Sequence, residues 1–161
     1  MTDIAPCLWF DRQGEEAARF YVSLLPDSRI DHIQHALSDY PNGKVGDVLL
    51  VEFTLCGRPY QALNGGPNFH FTEAISLSIS VDGQAEVDRL WDALIADGGE
   101  PVGCSWLKDK YGLSWQIVPK ELTALMKDPD RGRAKRAMDA MMTMVKIDVA
   151  GIKAAADEVN L

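Results

Sequence analysis

The sequence predicts an α+β fold made of two βαβββ modules followed by a C-terminal helical extension. Three observations carry that prediction: a hydrophobic period that switches from two residues to about 3.6 at matching points in each half, an internal repeat, and a shift to helical composition after Pro119. The repeat appears when 71 is added to a residue number. Asp11, Gln13, Glu15 and Phe20 then fall on Asp82, Gln84, Glu86 and Trp91, three identities and one aromatic exchange at the same strand-to-helix junction. The same offset carries Ile4, Leu8 and Phe10 onto Ile75, Ile79 and Val81. The expected organisation is a single domain over residues 1–161, with module one at 3–66, module two at 73–119 and a helical tail at 120–161.

Each element has its own signal. Residues 4–10 are an apolar run with Ile4, Leu8 and Phe10 in alternate register, read as a strand. From Gln13 onward Ala17, Phe20, Tyr21 and Leu24 share one helical face, Glu15, Glu16 and Arg19 lie off it, and Pro26-Asp27 closes the helix. Residues 28–36 alternate weakly as a second strand, with His32 and His35 on opposite faces and no partner spacing that would make them ligands. Pro41, Asn42, Gly43 and Gly46 mark a loop, after which Leu49, Val51, Phe53 and Leu55 define one face of a strand. A hairpin at 56–58 leads into a strand at 60–64, which Asn64-Gly65-Gly66-Pro67 terminates.

In the second half, Ile75, Leu77, Ile79 and Val81 are expected to pack on helices while Ser76, Ser78 and Ser80 face the other way. Residues 85–96 read as a helix stopped by Gly98-Gly99, and 100–106 and 113–118 as later strands. Lys108, Asp109 and Lys110 read as a solvated turn, with Lys108 alternatively placed to cap a cavity mouth and attract an anion. In the tail, Asp128-Pro129 reads as an N-cap followed by proline at the first helical position. Ala134, Ala137, Met138, Met141 and Val145 follow at helical spacing, and Asp148 is expected to cap a last helix with Ile147 and Ile152 as its hydrophobic staple.

Composition excludes several classes of partner. A net charge of -8, with the basic residues scattered, opposes a nucleic-acid backbone. No segment approaches the ~20 apolar residues of a membrane span, and the N-terminal residues lack a cationic start, so a soluble cytoplasmic protein is expected. Cys7, Cys56 and Cys104 are three, far apart and without a Cys-x-x-Cys pair, which indicates reduced thiols.

The segments 6–10 (PCLWF), 15–21 (EEAARFY), 62–66 (ALNGG) and 106–119 (WLKDKYGLSWQIVP), with the Lys146-Ile147-Asp148 tail, resemble the PhnB-like family. That family belongs to the glyoxalase, bleomycin-resistance and extradiol-dioxygenase group of vicinal-oxygen-chelate proteins. The resemblance implies a cavity in a curved sheet, with four His or Glu metal ligands in metal-dependent relatives. The corresponding positions here are Ala5, Gln61, Ser76 and Gln116, none of them an imidazole, carboxylate or thiolate, so no metal and no cofactor are expected. Members carry the name 3-demethylubiquinone-9 3-methyltransferase, but the chain has no Gly-rich turn opening a nucleotide-binding βαβ unit.

The expected cavity lining is Cys7, Trp9, Glu52, Thr54, Gln61, Ser76, Ser78, Trp106 and Gln116, an amphipathic surface with indole platforms. The leading expectation is a metal-free binder of a small organic molecule, assembled as a homodimer with the tail at the contact. Two alternatives stand beside it. One is an isomerase or dioxygenase with unusual ligands, or a catalyst using Glu52 as base. The other is a structural dimer whose core is filled, Gln61 and Gln116 satisfying each other.

Overall fold

The computed structural model describes residues 2–158. The chain divides between Phe71 and Thr72 into two compact units. In the first, β1 (Cys7–Phe10), α1 (Gly14–Leu24), β2 (Arg29–His35), β3 (Val48–Leu55) and β4 (Arg58–Asn64) follow one another, and the strands lie in the order β1-β4-β3-β2. β1 and β4 pair in parallel, and the other pairs are antiparallel. Ala17, Ala18 and Tyr21 of α1 are fully buried over the face that carries Leu8, Phe10, Val51, Phe53 and Ala62. Removing a large apolar side chain from water contributes about 1.5–3 kcal/mol, so this layer supplies the unit's main stabilisation. Asn64 fixes where the helix starts: its Oδ1 accepts from Gly14 N at 2.8 Å and its Nδ2 donates to Val48 O at 2.9 Å. A Cβ on residue 14 would stand 2.7 Å from that Oδ1, which only glycine avoids.

The first strand begins later than its apolar pattern suggests. Ile4 is 91% exposed and lies outside β1. Gln61 N donates to Pro6 O at 2.9 Å, but proline has no amide hydrogen to continue the ladder.

The second unit repeats the plan with β5 (Ser76–Val81), α2 (Gly83–Ile95), β6 (Glu100–Pro101), β7 (Trp106–Lys108) and β8 (Ser114–Pro119). Its order is β5-β8-β7-β6, again with the outer first strand parallel to the last. Val87, Leu90, Trp91 and Leu94 of α2 are buried, as are Val81, Leu107, Trp115 and Ile117 on the sheet face beneath them. Ile75 is exposed before β5, contrary to its place in the apolar alternation. The expected strand at 100–106 is two short strands separated by a turn. Cys104 and Ser105 have φ of 55° and 70°, incompatible with a strand, and their amides donate to Met144 O and Val145 O of the tail.

The turn at 108–112 also differs from expectation, because Asp109 is only 2% exposed. Its Oδ1 accepts from Tyr111 N at 2.9 Å and Leu113 N at 3.1 Å, and its Oδ2 accepts from Trp115 Nε1 at 2.8 Å. The carboxylate organises the hairpin instead of facing water. Gly112 supplies the φ of +85° at which the chain reverses.

The tail forms α3 (Lys120–Met126), α4 (Arg131–Met141) and α5 (Val149–Asp157). Asp130, not Asp128, caps α4, accepting from Gly132 N and Arg133 N, while Asp128 pairs with Arg133. Asp148 makes no side-chain cap to α5; Gln84 of α2 performs that task, its Oε1 accepting from Val149 N at 2.8 Å. Its Nε2 donates to Ile147 O at 3.0 Å. Ile147 and Ile152 are both buried, in one cluster with Leu122, Leu125, Ala137, Val149 and Ala156, and Val118 packs against it. The tail thus closes on its own module. Ala134 and Ala137 are buried, but Met138 and Val145, 48% and 51% exposed, are not.

Two measurements test these anchors. Asp109→Ala strips the acceptor from three donors and should cost roughly 2–4 kcal/mol of unfolding free energy in urea titrations; Asp109→Asn should lose less. Gln84→Ala should speed amide exchange in α5 ahead of the rest of the chain, at a cost of about 1–2 kcal/mol. Equal protection of α5 in both proteins would mean that the clamp is ornamental.

Candidate functional site

In each sheet the face turned away from the helix carries the polar residues. Strand register settles which residues share it, since directly paired residues point the same way. In module one Cys7 stands opposite Gln61, Gln61 opposite Glu52, and Glu52 opposite His32. The next row is Trp9, Leu63, Leu50 and Gln34. Cys7, Trp9, Glu52, Thr54 and Gln61 therefore lie on one face, as the alternation predicts. β3 is an interior strand, so Glu52 sits in the middle of the sheet and not at its edge.

A cavity of about 390 Å³ opens on this surface, lined by Asp3, Ile4, Ala5, Asp31, Glu52, Phe53, Pro59, Tyr60 and Gln61. Ala5, Glu52 and Gln61 come together in it, whereas Cys7, Trp9 and Thr54 do not line it. Thr54 is buried and donates from Oγ1 to Asp31 Oδ2 at 2.6 Å. Asp31 is paired with Arg29 at 2.8 Å. Glu52 makes no hydrogen bond or ion pair among the described residues. Burial holds the Cys7 thiol on this face, and the Tyr60 hydroxyl beside Phe53 on the other, above their ordinary pKa values.

Trp9 has another task. Its Nε1 donates to Gly66 O at 2.8 Å, and its ring meets Phe69 edge-on at 4.9 Å between centroids. A Cβ on Gly65 would lie 2.4 Å from the indole. Trp9 is the plate against which the Gly65-Gly66 turn closes.

Module two presents the row Ser78, Gln116 and Trp106, and beside it Ser76, Ser114, Lys108 and Glu100. Ser76, Ser78, Trp106 and Gln116 thus share a face too. Gln116 reaches diagonally to Ser76 within its own module, its Nε2 donating to Oγ at 2.9 Å. Lys108 is bound to Glu73, which holds the ammonium above its ordinary pKa while Lys108 holds Glu73 below its own. That pairing takes away the free cation expected for an anion.

A larger cleft of about 860 Å³ lies elsewhere on module one, lined by Arg12, Tyr40, Asn42, Lys44, Asp47 and Asn64 among others. Sequence reasoning missed it, because the β2–β3 loop and the start of α1 meet only in the fold. Size does not make it the chemical centre. Asn64 is spent on Gly14 and Val48, Asn42 donates to Gly65 O, and Lys44 pairs with Asp39.

The donor set can be tested for a metal. Ala5 offers no donor, Gln116 and Ser76 bond each other, and the remaining Gln61 carboxamide is neutral. Among the described residues no group of three or more His, Cys, Asp or Glu side chains is placed to hold an ion. The four positions do not fit a divalent metal, which needs anionic or imidazole ligands to offset its dehydration.

The comparisons agree with this architecture. A family profile described as 3-demethylubiquinone-9 3-methyltransferase matches residues 2–118. A solved PhnB protein from Bacillus cereus, described under the same methyltransferase name, is 35% identical over 73% of this chain and 99% of its own, with a TM-score of 0.64. Protein PA1353 from Pseudomonas aeruginosa shares the fold at 21% identity, over 74% of this chain and 98% of its own, with a TM-score of 0.55. No curated protein matches. No helix among the described residues is long and apolar enough to cross a membrane. The two βαβββ modules, the family match across most of the chain and the Bacillus cereus relative together place this chain in the PhnB-like, 3-demethylubiquinone-9 3-methyltransferase family.

Proposed function

We propose that this protein binds a small organic molecule on the polar face of its sheets without a metal, as a homodimer. The observation that carries the reading is the module-one cavity, in which Ala5, Glu52 and Gln61 adjoin Pro59 and Tyr60. An apolar wall with a few converging polar groups is the usual composition of a small-molecule site. Ser76, Ser78, Gln116 and Trp106 are its counterpart in module two, with Cys7, Trp9 and Thr54 as supports in module one.

The family's methyltransferase name implies adenosylmethionine, and the residues do not fit it. The space at the Gly65-Gly66 turn, where a cofactor would need close backbone approach, is filled by Trp9 and Asn42. Glu52 supports a second reading, that of a catalyst. A carboxylate with no protein partner, in a cavity, has the free acceptor that a general base needs.

Native mass spectrometry of freshly purified protein tests the first reading. The expected result is a retained organic ligand or none, and no stoichiometric zinc, nickel, iron or manganese. One metal per chain would overturn it. Assembly is tested separately, since the exposed Met138, Met142 and Val145 on the tail support a covered surface. Light scattering should give twice 17.8 kDa, and Met138→Glu with Val145→Glu should restore that single-chain mass without loss of helicity. A wild-type mass of one chain would refute the dimer.

A further inference from the structure

The segment that joins α4 to α5 lies along module two and is held at nearly every residue. Met144 O accepts from Cys104 N and Val145 O from Ser105 N, both at 2.9 Å. Lys146 Nζ pairs with Asp88 Oδ1 of α2 at 2.9 Å. Ile147 O accepts from Gln84 Nε2 at 3.0 Å, and Val149 N donates to Gln84 Oε1 at 2.8 Å. Residues 144–149 therefore run as a strap from the turn between β6 and β7 to the first turns of α2.

The turn under the strap is strained. Cys104 and Ser105 are successive non-glycine residues in the left-handed region, at φ of 55° and 70°. Such residues persist where the surrounding structure holds them, and here the strap supplies the acceptors for both amides. Ser105 passes the constraint on. It is buried, its Oγ donates to Ile117 O, and its carbonyl accepts from Ile117 N at 3.1 Å. The next residue is Trp106, whose amide donates to Gly103 O at 3.0 Å and which stands opposite Gln116 on the polar face. Strap, turn and indole are thus joined through consecutive residues.

We infer that residues 144–149 are a positioning device for the polar face of module two: the strap holds Cys104 and Ser105 left-handed and thereby fixes where Trp106 stands beside Gln116. The inference rests on that face being part of the ligand site, and it adds what sets the indole there. With the strap in place, Trp106 keeps one register with Gln116. With the strap loosened, Cys104 and Ser105 relax toward the negative φ that non-glycine residues favour. Ser105 then loses its hold on Ile117, and Trp106 leaves its register. A change in how the tail is held thereby reaches the ligand face.

The test uses the full chain and loosens the strap away from the turn, with Gln84→Ala and Lys146→Ala together. Hydrogen exchange reads the strap and the turn. The indole N–H signal of Trp106, identified by its loss in Trp106→Phe, reads the face. Exchange at α5 and at the Cys104 and Ser105 amides should quicken about tenfold, the size expected for the net loss of roughly one hydrogen bond. The Trp106 signal should shift while that of Trp91, buried on α2, stays in place. Adding Cys104→Gly should return the Trp106 signal toward its wild-type position, because glycine takes the left-handed conformation without support. The inference is overturned if Trp106 and the turn amides behave as in the wild type, whether or not α5 is loosened. It is equally overturned if Trp91 shifts as far as Trp106, the mark of general loosening, or if Cys104→Gly restores nothing. No ligand enters these readouts: were the face to bind nothing, Trp106 would still answer the strap, so the two failures are told apart.

Discussion

The parallel pairing of the first and last strands of each module is the constraint from which the rest follows. Two parallel strands cannot be joined by a tight turn, so the intervening chain must leave the sheet and return, and a helix makes that excursion. α1 and α2 then cover one face of their sheets, with Tyr21 and Trp91 buried beneath. Everything polar on the strands is pushed to the opposite face. The rows from Cys7 to His32 and from Ser78 to Trp106 are therefore products of topology as much as of residue choice.

Buried polar groups lock this plan at three points. Asn64 ties the start of α1 to β3, Asp109 gathers the donors of the last hairpin, and Gln84 holds the tail on α2. Each satisfies both sides of a bond that would be costly to leave unmade away from water. Asn64 and Gln84 also show the limit of the repeat. Gln13 is the counterpart of Gln84 by offset, but Gln13 offers α1 no side-chain cap, whereas Gln84 bonds a segment that module one does not have.

The candidate site was legible in part. Alternation alone assigned Cys7, Glu52, Thr54 and Gln61 to one face, because strand side chains have a period of two and the apolar partners Val51, Phe53 and Leu55 mark the other. His32 was read as a surface residue and is exposed; its place in register with Glu52 has no sequence spacing to reveal it. Its register depends on the bulge at Asp31, which nothing in the local composition announces. Trp9 was assigned to the cavity for its indole, but the nearby glycines were the sign that a ring must lie on them.

The sequence by itself determined the two-module plan, the element order and the faces of the long strands, because these depend on local periodicity and turn residues that act over a few positions. It also shows that Ala5, Gln61, Ser76 and Gln116 carry no imidazole, carboxylate or thiolate, which is a matter of composition. Tertiary structure alone decided that Asp109 is buried, that Asp130 and Gln84 supply the tail's caps and that the strand register pairs His32 with Glu52. Those outcomes depend on which distant donors, acceptors and strands meet once the core has closed, and a single charged or amide residue carries no local mark of the partner it will find.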